Sequence, residues 1–584
     1  MSLKNKQNWI LLSAFLIVTV TPTKLISNAA TASETPRNKN NSNYSYHPIS
    51  DTNHQQILKD RVMHSSFLVQ NNFDELEQPV NQPEDILIRQ IKVIGNTVFS
   101  EDEINSKIKR FIGQSLTTEK LLEIETIIVQ LYIEKGYITS TAALNPQTTN
   151  GVVEIQVIEG SISEIKIQGT QRLKQSYIRQ RIELGVGKPF NSAKLEDQLR
   201  LLKADPLLDN VEASLRATGE PGKTNLIVRI QEAKNVVANL SVDNYSPSSV
   251  GSERLGVNLR YRNLTGIGDE ITGNYYRSTT GGSNILNFNY SLPLNSMNGR
   301  LQLGVTSNRT KVTQSPFDEL NIRGEKEQYE ISYRQPLVRN PREEFALSIG
   351  FAFQEGQTFL FDDIGIRFGI GPDADGVSRT SVINLGQDYI KRDSKGNWVL
   401  RSQFTIGTGL FNATTNDAPT PDGHFFSWLG QAQRVQSLSK NHLLIVQADL
   451  QLTPDSLLPA HQFTIGGGQS VRGYRQNVRS GDNGFRFLVE DRITVKRDEA
   501  GDPMMQVAPF LNMGAVWNLP DNPNNLPNQR FLAGGGLGFL WKGFMGIKGA
   551  NMRLDYAVPL IDLDDTGNNA QDRGFYFSVN YQTP

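Results

Sequence analysis

Twelve residues carry the densest set of recognition groups in this chain: Gly466-Gly-Gly-Gln-Ser-Val-Arg-Gly-Tyr-Arg-Gln-Asn477. Three successive glycines and then Gly473 open backbone paths that other residues resist. Arg472 and Arg475 bring permanent positive charge, and Tyr474 joins an aromatic face to a hydroxyl. The chemistry open to this set is recognition: fixed cations seeking acceptors, and an aromatic anchor seeking a pocket. A surface turn with scattered arginines has the same composition, so the flanking chain must decide. The stretch lies in a long polar connection, roughly Thr453 to Gly484, between short alternating strands. A connection that long without secondary structure of its own is usually functional or unstructured.

Bond-making chemistry finds little support. The chain has no cysteine, which excludes disulfides, thiolate metal sites and a cysteine nucleophile. Its six histidines are scattered without ligand spacing. Asp373-Ala-Asp375-Gly376 resembles part of a calcium loop but lacks the later glutamate. Gly534-Gly-Gly-Leu-Gly538 sits in strand context rather than at a strand–helix junction, and no nucleotide-binding G-x-x-x-x-G-K-[ST] occurs. No catalytic residue, metal or cofactor is expected, and the chain does not read as an enzyme. With 59 basic and 60 acidic residues, there is no electrostatic case for nucleic acid.

The elements that must position the stretch follow from periodicity. Lys4 and Lys6, an apolar run from Trp9 to Val20 and Ala30-Thr-Ala32 form a secretory signal pattern over residues 1–32. The apolar run is too short for a helical span, which needs about 20 residues. Residues 33–84 are a polar linker, within which Ile57, Leu58, Val62 and Met63 predict a short helix over 51–67. Residues 86–160 then read β-α-α-β-β: a strand through Ile91 and Val93, a capping box at Ser100-Glu-Asp-Glu103, a helix from Thr118 to Lys135 closed by Gly136, and strands over Tyr137–Leu144 and Val152–Ile158. The order returns about 74 residues on, the mark of a repeat: Ile165-Lys-Ile167 and Gly169 in 161–233 match Ile91-Lys-Val93 and Gly95. Exposed strand edges in such modules can take extended peptide by strand addition. The candidate edge is Tyr137, Ile138, Thr139, Ser140 and Thr141.

From 235 to 584 the period becomes two. Leu255, Val257, Leu259 and Tyr261 alternate with polar residues, as do Leu286, Phe288, Tyr290 and Leu292, and Phe575, Phe577, Val579 and Tyr581. About sixteen such segments recur, each near the 9–11 residues of a tilted membrane strand. A soluble sandwich would have to pack these apolar faces on one another. The low mean hydropathy of -0.39 suits a barrel, whose strands show lipid only at alternate residues. The expected fold is therefore α+β plus all-β: two β-α-α-β-β modules, then a transmembrane antiparallel β-barrel. Within it the Gly466 loop can fold back into a polar lumen. Arg472 would then need a partner, and Glu490 and Asn512 both lie on inward-facing positions.

These features together resemble the transporters of two-partner secretion, the haemolysin secretion/activation family, within the superfamily of POTRA-containing outer-membrane barrels. Gly136-Tyr137 through Ile158-Glu-Gly160 resembles the latter half of the family's first POTRA domain, and Asn263-Leu-Thr-Gly-Ile-Gly-Asp269 is similar to a barrel turn of the superfamily. Val471, Arg472, Gly473 and Tyr474 match the hallmark of the loop that enters the barrel. Phe510-Leu-Asn-Met-Gly514 is similar to the family's F-x-D-x-G strand, with Asn512 where aspartate is usual. The resemblance implies an outer-membrane pore, monomeric and set in lipid, with its POTRA domains in the periplasm of a Gram-negative-type bacterium. It implies export of an unfolded secreted partner protein without nucleotide hydrolysis, Arg472 being the lumenal anchor. A barrel-insertion factor and a passive porin are the competing functions.

Overall fold

The computed structural model describes residues 87–583, apart from 116, 146–150, 362 and 565–566. The expected signal peptide, the linker and the 51–67 helix lie outside the described residues.

The first module comprises β1 (Gln90–Ile94), α1 (Glu101–Ile108), α2 (Thr118–Glu134), β2 (Thr141–Leu144) and β3 (Val152–Ile158). Strand β3 is central, parallel to β1 and antiparallel to β2. The capping box forms: the Ser100 hydroxyl accepts from the Glu103 N–H at 3.3 Å, and the Glu103 carboxylate accepts from the Ser100 N–H at 3.2 Å. Helical spacing places Ile104, Ile108, Ile124, Ile128 and Tyr132 against Val153, Ile155 and Val157 of the sheet. Each such burial contributes about 1.5–3 kcal/mol. The second module repeats the order with β4 (Ser161–Gln168), α3 (Gln175–Glu183), α4 (Ser192–Lys203), β5 (Leu208–Ala217) and β6 (Lys223–Glu232), and β6 takes the centre.

One expected edge is corrected. Strand β2 begins at Thr141, so Tyr137, Ile138, Thr139 and Ser140 do not belong to a strand edge. They close helix α2 instead. The Tyr137 N–H donates to the Tyr132 carbonyl at 2.9 Å, and the Ser140 N–H to the Tyr137 carbonyl at 3.1 Å. The Ser140 hydroxyl accepts from the Gly160 N–H at 3.0 Å, and Ile138 packs against the core of the second module. These residues form the joint between modules; only Thr141 starts the outer strand.

The barrel strands are β7 (Val236–Asp243), β8 (Arg254–Arg262), β9 (Glu270–Ser278), β10 (Ser283–Pro293), β11 (Arg300–Lys311), β12 (Arg323–Arg339), β13 (Glu343–Leu360), then the two-residue β14 (Ile364–Gly365), β15 (Val377–Asp393), β16 (Gly396–Thr408), β17 (Phe426–Ser437) and β18 (His442–Leu452). A short ribbon follows, β19 (Phe463–Ile465) with β20 (Arg479–Gly481), and then β21 (Asn483–Arg497), β22 (Pro503–Trp517), β23 (Phe531–Lys542), β24 (Ala550–Pro559) and β25 (Phe575–Gln582). Leaving out β14 and the ribbon, sixteen antiparallel strands close where β25 pairs with β7. The ribbon corrects the expectation that residues 453–484 lack secondary structure.

The two faces settle what the barrel stands in. Leu255, Leu259, Leu286, Ile349 and Leu537 are all more than half exposed on the outside. Asn274, Asn287, Gln354, Gln431, Asp449 and Asp555 are buried within. A sandwich would have hidden the first set; a membrane barrel solvates it with lipid. Strands β12, β13 and β15 run 17, 18 and 17 residues, so their side of the wall outruns a bilayer.

The second module seats on the β8–β9 turn, Asn263–Asp269. The Lys174 N–H donates to the Gly266 carbonyl at 2.8 Å, and Arg262 donates to the Pro206 carbonyl at 3.2 Å. Gly268 has φ +83, and a Cβ there would stand 2.4 Å from the Tyr177 ring. Burial, and then the Asp205 carboxylate that accepts from it, raise the Tyr177 hydroxyl well above its usual range.

Candidate functional site

The loop 453–482 leaves the barrel at the end opposite the modules and folds inward. Its ribbon and tip bury Phe463, Ile465, Val471, Tyr474 and Val478 against Val516 of β22, Leu532 of β23 and Leu563. The glycines make this close approach feasible. Gly473 sits at φ +103, where side chains are strained. A Cβ on Gly534 of β23 would stand 1.9 Å from the Arg472 carbonyl oxygen. Gly534 thus leaves the wall of β23 bare where the tip of the loop lies against it.

Arg472 is 2% exposed. Its Nε donates to Asn512 Oδ1 at 3.0 Å, and its Nη1 to Glu490 Oε2 at 3.1 Å and Asp555 Oδ2 at 3.3 Å. The guanidinium lies over the Phe510 ring, 3.3 Å from the centroid. The sequence left Asn512 and Glu490 as alternatives; the structure brings both to Arg472 and adds Asp555. Gly514, two residues beyond Asn512 on the same face, leaves room for Val471: a Cβ there would stand 3.3 Å from it. Three strands thus supply partners: β21 gives Glu490, β22 gives Phe510 and Asn512, and β24 gives Asp555.

Two further arginines complete the cluster. Arg553 donates to Glu490 Oε2 at 2.7 Å and to Asp555 at 2.9 Å, and Arg492 donates to Glu490 Oε1 at 2.9 Å. Three guanidiniums therefore share two carboxylates. Two buried donors, Arg472 Nη2 and Asn512 Nδ2, have no hydrogen-bond partner. Asp555, Arg553, Arg492 and the tyrosine described next were not singled out from the sequence. A signal existed for two of them: Arg553 and Asp555 alternate with Met552, Leu554 and Tyr556, which places them inward.

The rest of the tip is held as firmly. The Tyr474 hydroxyl donates to the Ala533 carbonyl at 2.7 Å. Tyr576 of β25 accepts from the Gly473 N–H at 2.9 Å and donates to the Tyr474 carbonyl at 2.6 Å. Arg475 pairs with Asp572. Gln571 accepts from the Gln476 N–H at 3.0 Å and donates to the Asn244 carbonyl at 2.6 Å, which ties the loop to the segment after β7. This is an arrangement for holding a loop inside a wall. Among the described residues, no group of three or more acidic or histidine side chains could hold a metal.

Comparison with known proteins bears on the family and the fold. The model of the family "Haemolysin secretion/activation protein ShlB/FhaC/HecB" matches residues 222–540, "POTRA domain, ShlB-type" matches 86–160, and "Surface antigen variable number repeat", a POTRA model, matches 161–233. The heme/hemopexin transporter protein HuxB of Haemophilus influenzae (strain 86-028NP) is 24% identical over 403 residues, 67% of this chain and 68% of that protein. The outer membrane transporter CdiB of Escherichia coli is 23% identical over 415 residues, 68% of this chain and 67% of that protein. The solved structure of CdiB from Escherichia coli shares the fold, with a TM-score of 0.67 at 20% identity, covering 92% of this chain and 100% of that one. Two POTRA modules, a closed barrel of sixteen strands and a family match over more than half of the sequence lead to one conclusion: this chain belongs to the ShlB/FhaC/HecB haemolysin secretion/activation family, the outer-membrane transporters of two-partner secretion.

Proposed function

We propose that this chain is a pore that exports a secreted partner protein, taking it unfolded from the periplasm on its POTRA modules and passing it through the barrel. The observation that carries this reading is the combination of a polar lumen with a loop anchored inside it by Arg472. A wall built for lipid outside and for hydrogen bonding inside suits a polypeptide in transit. The outer strand β2, starting at Thr141, offers backbone groups for strand addition to an extended client. Nothing in the sequence matches a nucleotide site, so the drive is assigned to folding and capture of the client outside. The pore works as a monomer in outer-membrane lipid. Val471, Arg472, Gly473 and Tyr474 act as a latch that keeps the working shape of the lumen, with Glu490, Phe510, Asn512 and Gly514 as its seat.

The test compares cells producing the intact chain with cells producing a chain that lacks residues 86–160. Loss of the secreted partner from the medium, with the barrel still heat-modifiable in the outer membrane, is the expected result. Unchanged secretion would favour a passive porin. A general loss of other outer-membrane barrels would favour an insertion factor.

A further inference from the structure

The strand turns at the module end of the barrel differ in chemistry. The β8–β9 and β10–β11 turns meet the second module, the latter through Asn298, which accepts from Arg181 at 3.4 Å. Four others are mostly polar: Asn340-Pro-Arg342, Ser394-Lys395, Leu438-Ser-Lys-Asn441 and Asp498-Glu-Ala-Gly-Asp502. The β23–β24 turn reads Gly543-Phe-Met-Gly-Ile547. Met545 is 72% exposed and Ile547 52%. A Cβ on Gly543 or Gly546 would meet nothing within 4 Å, so the turn stands clear of the described chain. Met545 is held at φ +54, a conformation that the two module-facing turns give to Asn263 and Asn298. Asparagine tolerates that backbone far better than methionine does. A turn made for water would carry it here too.

Three features connect this turn to lipid. The first is continuity. On the outer face Leu537, Phe539 and Trp541 of β23 pair with Tyr556, Leu554 and Met552 of β24, and the Phe544 ring stands edge-on to Trp541 with centroids 5.1 Å apart. The apolar surface therefore runs from the wall into the turn without a break. The second is length. Strands β23 and β24 have 12 and 10 residues against 17 and 18 in β12 and β13. A tilted membrane strand needs about 9–11, so this side of the wall ends where the bilayer ends. The third is backbone satisfaction. The Gly546 N–H donates to the Gly543 carbonyl at 2.9 Å, the Ile547 N–H to the Phe544 carbonyl at 3.0 Å, and the Ala550 N–H to the Ile547 carbonyl at 3.1 Å. Donors paired inside the turn lower the cost of leaving water. The exposed Lys542 and Lys548 flank it, as basic residues flank an apolar segment at a membrane boundary.

We infer that the β23–β24 turn is a membrane anchor: Phe544, Met545 and Ile547 enter the periplasmic leaflet, and Lys542 and Lys548 meet phospholipid phosphates there. The anchor fixes the depth of the short side of the barrel, the side on which the latch is seated. It depends on the barrel standing in a membrane and not on the exporter reading.

The chain has no native cysteine, so Met545→Cys takes a single nitrobenzoxadiazole label on the full-length protein. The labelled chain is placed in nanodiscs of phosphatidylethanolamine and phosphatidylglycerol. Lys395→Cys, on the exposed β15–β16 turn at the same end, is the reference, and heat-modifiability verifies the barrel in both. A phospholipid with a nitroxide high on its acyl chain should quench position 545 about twofold or more over position 395, and aqueous iodide should do the reverse. Equal quenching at both positions would put the turn in water and overturn the anchor. Protection of position 545 from both agents would assign the turn to a protein partner and overturn it as well. Adding Lys542→Glu/Lys548→Glu to the labelled chain should weaken the nitroxide quenching; unchanged quenching would overturn the phosphate contact.

Discussion

The substitution Asn512→Asp isolates the energetics of the latch. In the native chain Asn512 Oδ1 accepts from Arg472 Nε at 3.0 Å, while Asn512 Nδ2 and Arg472 Nη2 both lack partners. The Nε and Nη2 donors share one edge of the guanidinium, the edge a carboxylate grips with both oxygens. An amide can match only one of them. Replacing Nδ2 by oxygen removes one orphan donor and supplies an acceptor for the other. It also balances charge, since Arg472, Arg492 and Arg553 now face only Glu490 and Asp555. Desolvating the new carboxylate opposes this by several kcal/mol. The surplus guanidinium charge is already buried, however, so the new anion enters a site prepared for it. The net expectation is a latch more stable by about 1–3 kcal/mol, or roughly 5–150-fold in the seated-to-released ratio. Hydrogen exchange at the Gly473 amide, which donates to Tyr576, reads that ratio directly. Slower exchange in the variant is predicted. Equal or faster exchange would refute the claim that the amide leaves the latch incompletely satisfied.

Three more perturbations follow from the same contacts. Arg472→Ala should reduce export while the barrel remains heat-modifiable in the membrane. Glu490 keeps Arg492 and Arg553, so the cost should fall toward the lower end of the about 3–5 kcal/mol for breaking a buried pair; unchanged secretion would remove Arg472 from the mechanism. Gly534→Val places a side chain where the Cβ alone would stand 1.9 Å from the Arg472 carbonyl oxygen. The latch should then unseat, seen as faster exchange at Gly473 and a raised conductance, while an outward-facing Leu537→Val should leave both unchanged. Gly268→Ala combines a positive φ with a Cβ 2.4 Å from Tyr177; it should loosen the second module from the barrel and speed protease cleavage in residues 233–235, measured on the purified protein.

How much was legible in the sequence depended on the range of the signal. The capping box at Ser100 and the inward alternation of Glu490 and Asn512 are set by neighbours two or three residues away, so the sequence carries them openly. The Tyr137–Ser140 segment looked like strand because Tyr, Ile and Thr favour extended backbone. The Tyr137 N–H is instead taken by the Tyr132 carbonyl of helix α2, the Ser140 N–H by the Tyr137 carbonyl, and Ile138 by the core of the neighbouring module, a tertiary demand that no local pattern records. Asp555 was hidden for a related reason. Its inward direction follows from alternation, but its meeting with Arg472 depends on the register of β21–β24 and on Gly534 leaving room between them.

The central claim is that this chain moves an unfolded client across a membrane without hydrolysing nucleotide. The most direct measurement places the purified full chain in liposomes with its POTRA modules outward, adds the unfolded partner protein outside, and asks how much becomes protected from external protease. The account predicts protection that needs the chain and its first module but no nucleotide. Protection absent under these conditions, or present only when a hydrolysable nucleotide is supplied, would contradict it.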